Sequence, residues 1–467
     1  MHLYLIIIIL NFIKLFMSIL TLIYIFIFIF HKFYNSKLLF VYQHIRHGSR
    51  TPIGLDKNNI DFYGYHWDTL GKTTAVGNRM SYLLGVICRN KYKNFLLNSY
   101  DPREIYITST WVERTITTAQ SFLTGLYSNI KYNELNNINN DTKKILPPFK
   151  NNKQLDDFLN KLGKNIVLNN MILTPPIHHY FKSQHYTLLQ LDINFSDCSA
   201  NIKKIIEVIN SKSIQDKIKY FKNKFGKAIS EYKNISINEI NNYKFFDVLN
   251  ICDSLLCDLK ELTDLTKINN LKNFGINVNE YIEFCSNLQL VTWNSDIVNK
   301  YEDIVFMGES PLFKDILTFM DKRIELDKNN NTDKLEYGKP KYFLFSGHDV
   351  SLTANMKFMH FIFGYKLIPP VYSSNLYIEL EKDDNSNNYY INYLLNDELK
   401  YKINYKEFKE KILKVLWTEE QINKYCNFSI ITKFKDKTSL YKKIIFTISL
   451  LLIANIFIVI IFKLKNK

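Results

Sequence analysis

Arg46-His47-Gly48-Ser49-Arg50-Thr51-Pro52 follows closely on an apolar run, Leu38-Leu39-Phe40-Val41-Tyr42. The run reads as a buried strand, and Gly48 and Pro52 break it into a loop. A histidine between two arginines is thereby placed at the end of a strand, where open α/β sheets keep their ligand crevice. Two permanently charged planar forks around one imidazole suit a tetrahedral dianion such as phosphate. A loop of solvated charges is the plainer reading, and two further stretches argue against it.

The apolar run 341–345 ends in Ser346-Gly347-His348-Asp349, and a helical pattern follows over 350–363. A histidine and a carboxylate side by side at a strand end repeat the first arrangement. Between the two, 103–108 alternates like a strand and 109–114 opens a helix that runs to about 127. Arg114 sits at that junction, where the N–H groups of a helix N-terminus favour an anion. Read alone, Arg114 is an ordinary first-turn arginine and His-Asp a weak signal. With Arg46-His47-Gly48 they form one pattern.

The other segments are ordinary α/β material. A helical spacing spans 74–97, with Thr73 or Thr74 as its cap. Strands are expected at 374–381, 389–395 and 399–405, and a short helix at 406–416. The middle, 132–337, differs: Asn- and Lys-rich runs alternate with helical patterns at 155–162, 202–209 and 245–262, with little strand signal and no repeat. It reads as a helical insertion capping the sheet. His178, His179 and His185 lie there without metal-ligand spacing and read as surface or structural residues.

A chain of 467 residues, 46% apolar and 22% charged, has ample material for a globular core. Its net charge of +15 comes from lysines scattered over the whole length. A nucleic-acid binder concentrates them on one face, so no nucleic-acid partner is expected.

Two hydrophobic segments bear on the compartment. Residues 3–30 are interrupted by Asn11 and Lys14 and read as a signal peptide or a signal anchor, with Asn35-Ser36 as a candidate cleavage site. Residues 444–462 match the length of a bilayer span, but lysines flank both ends and give no orientation. The expected layout is a single-pass membrane protein with its bulk lumenal or extracellular. Six cysteines, at 88, 198, 252, 257, 285 and 426, fit an oxidising compartment, and their fifteen pairings stay open. Sequons at Asn140, Asn194, Asn234, Asn330 and Asn427 agree with secretion.

The RHGxRxP stretch at 46–52, the segment around Arg114, Ser346–Asp349 and the order of these elements resemble the histidine acid phosphatases. These form branch 2 of the histidine phosphatase superfamily, and the likeness is to its lysosomal and prostatic types. It spans about 38–426, strong at both ends and faint in the cap. It implies an α/β fold with a phosphoglycerate-mutase-like central sheet, helices on both faces, a mostly helical cap insertion and a C-terminal transmembrane helix. The expected divisions are 1–36 leader, 37–131 and 338–425 catalytic core, 132–337 cap, 426–443 stalk, 444–462 transmembrane helix and 463–467 cytosolic tail.

The resemblance also implies roles. His47 is the nucleophile that forms a phosphohistidine; Arg46, Arg50, Arg114 and His348 hold the phosphoryl oxygens; Asp349 protonates the leaving alcohol. No metal or cofactor is implied, since three arginines supply the charge that phosphoryl transfer needs. The expected activity is hydrolysis of phosphomonoesters with an acid optimum. A lysophosphatidic-acid or inositol-phosphate phosphatase using the same site, and a non-catalytic membrane glycoprotein, are the alternatives. A homodimer is left open. Cys198 with Cys426 resembles a family disulfide. Two departures stand out: Trp111 occupies a place where relatives carry an Asp, and Ser374 one where they carry a Cys.

Overall fold

The computed structural model describes residues 36–54, 69–128, 175–179, 198–261, 269–294, 302–368 and 370–426. Both long hydrophobic segments, the stalk, His185 and the helical pattern at 155–162 lie outside them. Among the described residues no helix is long and apolar enough to cross a membrane.

Strand β1 (Ser36–Arg46) is buried from Leu39 onward on both sides, as its continuous apolar run requires. Helix α1 (Ala75–Lys91) follows, capped by the Thr74 side chain, which accepts from the Gly77 N–H. Next come β2 (Ile105–Ser109), α2 (Glu113–Leu126) and a two-residue strand, β3 (His178–His179). The middle of the chain supplies α3 (Ser199–Ile209), α4 (Lys212–Lys233), α5 (Ile237–Asn241), α6 (Phe245–Glu261), α7 (Val278–Asn294) and α8 (Glu302–Lys328). Then follow β4 (Tyr342–Gly347), α9 (Asp349–Phe363), β5 (Asn375–Asp383), β6 (Tyr389–Leu395), β7 (Glu398–Asn404), α10 (Tyr405–Leu413) and α11 (Glu419–Cys426).

The strands form one seven-stranded sheet in the order β3-β2-β4-β1-β5-β6-β7. β1 to β4 run parallel and β5 to β7 continue the sheet antiparallel. One face buries Val41, Ile45, Ile107 and Leu344 beneath α1 and α2. The other buries Phe40, Tyr42, Phe343 and Phe345 beneath α8, α9 and α10. A second apolar core, with Phe221, Phe225, Val248, Leu255 and Tyr281, is internal to the α4–α7 group. Two elements of the stretch read as cap therefore join the sheet. β3 pairs with β2, and α8 places Phe313, Ile316 and Met320 in the core of Phe40.

The parallel register decides where chemistry can sit. Arg46 lies opposite Gly347, and Ser109 opposite Ser346. The residues that follow β1, β2 and β4 therefore emerge at one edge of the sheet.

Cys198 and Cys426 are bonded, tying the start of α3 to the end of α11, and Cys252 and Cys285 join α6 to α7. The first pair closes a separation of 228 residues, and losing such a bond typically costs about 2–5 kcal/mol. Cys198→Ser is therefore expected to lower the midpoint of denaturant unfolding clearly, with the Cys252–Cys285 bond intact. An unchanged midpoint would show that the bridge adds nothing to stability.

Candidate active site

The loop after β1 lies against the N-terminus of α1, backbone to backbone. A Cβ on Gly48 would lie 2.2 Å from the Gly77 carbonyl oxygen, and one on Gly77 would lie 2.0 Å from that of Ser49. Neither position accepts a side chain, and this close seat fixes the loop's path. His47 is 1% exposed, and its Nδ1 lies 2.9 Å from the Gly48 carbonyl oxygen. A carbonyl only accepts, so the Nδ1–H donates and the lone pair sits on Nε2. Burial, followed by Arg114, Arg46, Arg50 and His348, holds the imidazole well below its usual pKa. The ring is therefore neutral in acid.

The three arginines all come from the sheet edge and are all buried. Arg46 donates from Nη1 to the Pro370 carbonyl at 2.7 Å and from Nη2 to Asp349 Oδ2 at 2.8 Å, with its guanidinium 4.4 Å from the centre of the Tyr372 ring. Arg50 makes a two-pronged pair with Asp253 of α6, at 2.9 and 3.0 Å. The Nε–H groups of Arg46 and Arg50 are buried without a partner among the described residues. A cationic donor left that way is costly, and an anion's oxygen would relieve it.

His348 caps α9 and lies 5.6 Å from His47, ring centre to ring centre. Arg114 Nη2 donates to its Nδ1 at 3.1 Å, and its Nε2 lies 2.9 Å from Thr110 Oγ1. The chain continues from Thr110 to Thr115, and from the Thr115 hydroxyl to the Val112 carbonyl at 2.7 Å. Because that last oxygen only accepts, each hydroxyl passes its proton onward, and His348 carries its hydrogen on Nε2. His348 is thus the acceptor that orients Arg114. Asp349, at the first turn of α9, also accepts from the Val350 N–H at 2.9 Å. Burial pushes its carboxyl up, but Arg46, Arg50 and Arg114 outweigh this and leave it below its ordinary value.

All six residues singled out in the sequence are therefore gathered at the ends of β1, β2 and β4. A profile of the histidine phosphatase superfamily (branch 2) matches residues 37–396. The chain belongs to that family. Lysosomal acid phosphatase of Xenopus laevis is 38% identical over 98 residues, 20% of this chain and 22% of that protein. Prostatic acid phosphatase of Bos taurus is 33% identical over 92 residues, 20% of this chain and 24% of that protein. The aligned segment thus spans under a quarter of these relatives' lengths. Among solved structures, the phytase from Citrobacter braakii superposes with a TM-score of 0.53 at 12% identity, covering 82% of this chain and 98% of that one. A Hafnia alvei phytase in complex with tartrate gives 0.52 at 14%, with the same coverage. At such identity the likeness is one of fold.

This member of the superfamily holds its site with residues that no motif marked. His44, on β1, places Nε2 3.1 Å from Ser351 Oγ, which accepts from the His348 N–H at 2.9 Å. Asp253, Thr110 and Tyr372 are the others. Asp253 left no signal of its own, because it lies on the side of α6 away from Val248, Ile251, Cys252 and Leu255, where an acid reads as an ordinary polar-face residue.

His44 also carries a pH-dependent cost. Burial lowers its pKa to about 3, whereas an unfolded histidine titrates near ~6.5. Below that value the unfolded chain takes up a proton that the native protein refuses, so stability is lost as pH falls from about 6.5 towards 3. The slope is about 1.4 kcal/mol per pH unit. His47 and His348, held neutral in the same way, keep their own share. His44→Gln, which keeps a polar partner for Ser351, is therefore expected to make the slope shallower by about that amount when urea unfolding at pH 6 and pH 4.5 is compared. Equal slopes in both proteins would contradict the assignment.

Proposed function

We propose that the chain is an acid phosphatase hydrolysing phosphomonoesters in two steps. His47 Nε2 attacks phosphorus and the P–O bond to the alcohol breaks, with Asp349 giving the alcohol its proton. Water then attacks the phosphohistidine, Asp349 takes a proton from it, and inorganic phosphate leaves. Arg46, Arg50 and Arg114 hold the equatorial oxygens, where a loose phosphoryl-transfer transition state concentrates charge. The observation that carries the reading is the neutral His47, its lone pair on Nε2, set beside two guanidiniums with partnerless buried Nε–H groups. Phosphate release from an aryl phosphate between pH 4 and pH 7 tests it. The purified protein should turn over, fastest on the acid side. No release across that range would leave the non-catalytic glycoprotein as the better description.

A narrower reading, a substrate with an apolar leaving group, is favoured by three exposed residues on segments bordering the site. Ile53, Leu70 and Val371 are 55%, 44% and 65% exposed. Ile53 and Leu70 flank the backbone pairing of Pro52 with Gly71, and Val371 adjoins the Pro370 carbonyl that Arg46 binds. A lysophospholipid fits such a rim better than a polyphosphorylated inositol. Comparing kcat/KM for the two classes decides between them. For the compartment, the two long apolar segments support a single-pass membrane protein with this domain on the lumenal or extracellular side.

A further inference from the structure

We infer that Asp253, on helix α6 outside the sheet, is a positioning residue that fixes Arg50 for the phosphoryl group. The inference rests on the phosphatase reading above. A guanidinium carries five N–H bonds in a plane. Asp253 takes two of them end-on, Oδ1 from Nη2 at 2.9 Å and Oδ2 from Nη1 at 3.0 Å. The other Nη1–H goes to the Thr51 carbonyl at 3.0 Å. What is left is the edge formed by Nε–H and the second Nη2–H, and this Nε is buried without a partner among the described residues. The fork is therefore held by its far edge, with its near edge kept for an oxygen. A lysine could not be held in this way, because its ammonium has no second edge.

The same carboxylate also fixes the loop itself. Asp253 Oδ2 accepts the Ile53 N–H at 2.9 Å. Two turns further along α6, Glu261 Oε1 accepts from Ser49 Oγ at 2.5 Å and from Thr74 Oγ1 at 2.6 Å. Residues 253, 257 and 261 lie on one helical face, with Cys257 Sγ 3.6 Å from Arg50 Nη1. The Cys252–Cys285 bond holds the helix beside Asp253. Burial works against the Arg50 charge, and Asp253, with smaller contributions from Tyr372 and Cys257, more than restores it. The cap thus supplies the anion that keeps a buried arginine charged and aimed, while Asp349 serves Arg46.

The test is the inhibition constant of inorganic phosphate, read with kcat/KM on an aryl phosphate. Asp253→Asn keeps the side-chain size and loses the charge. A charge-assisted hydrogen bond is worth about 1.5–3 kcal/mol, so phosphate inhibition should weaken about ten- to hundredfold. A merely structural role would lower the melting temperature and leave that constant within twofold, which would overturn the inference. The Arg50→Gln background supplies the second arm, because removing both charges leaves no unpaired buried ion. There Asp253→Asn should change phosphate inhibition by less than twofold, and a further tenfold loss would overturn the inference even if the single variant cannot fold. If the parent protein neither hydrolyses a phosphomonoester nor is inhibited by phosphate, the phosphatase reading fails, and this inference with it. An active parent with an unaffected Asp253→Asn sinks this inference alone.

Discussion

His47→Ala is expected to lower kcat by at least about 10⁴-fold, the scale seen when a covalent nucleophile is removed and only the surrounding binding site is left. The reason is specific to the ring's setting. Its Nδ1–H is spent on the Gly48 carbonyl, and burial beside three guanidiniums keeps it from taking a second proton. The Nε2 lone pair is therefore available in acid, where an exposed histidine would be largely protonated and inert. Removing the ring leaves the arginines in place, so phosphate should still inhibit the variant while turnover is lost. Quenching in alkali would separate the routes as well. A phosphoryl group on a histidine nitrogen survives base and is lost in acid, and it should form in the parent and not in His47→Ala. A variant with a tenth of the parent's kcat would rule out covalent catalysis by this residue.

The candidate site was legible in the sequence because each of its residues lies within a few positions of a strand end. Arg46, His47 and Arg50 fall within one loop, and His348 and Asp349 follow one strand, so an apolar run and a break were enough to place each group. What a motif cannot carry is the register between strands. Arg46 opposite Gly347 and Ser109 opposite Ser346 are contacts across about 300 and 237 positions of chain, and it is these that set His47 against His348. The helical middle was harder for another reason. Periodicity tells which face of a helix is buried but not what buries it. Helix α8 and the group α4–α7 come from the same stretch of chain, yet Phe313 packs into the sheet core and Phe225 into a separate one. Asp253 was hidden in the same way. Its partner Arg50 lies 203 positions earlier, and only the fold brings the two together.

The second large effect concerns Asp349, and its sign follows from the arginines. The carboxylate is paired with Arg46 at 2.8 Å, and the arginines together hold it below its ordinary value despite burial. It is therefore ionised in the protein alone over most of the acid range, yet it must carry a proton to release the alcohol. A bound phosphoryl group takes the same arginines and adds negative charge beside the carboxylate, and both changes raise its pKa. In the proposed mechanism protonated Asp349 is the active form, so the rate is expected to fall as pH rises through that pKa. The fall should come at higher pH in kcat, which reports the complex, than in kcat/KM, which reports the free protein. Asp349→Asn keeps an acceptor for Arg46 but has no proton to give. For an alkyl phosphate, whose alkoxide leaves poorly, kcat should drop by about 10²–10⁴-fold. For an aryl phosphate with an acidic phenol the loss should be under about tenfold, and the alkaline limb of kcat should flatten. Equal losses on both leaving groups, with the limb unmoved, would assign the proton to another donor.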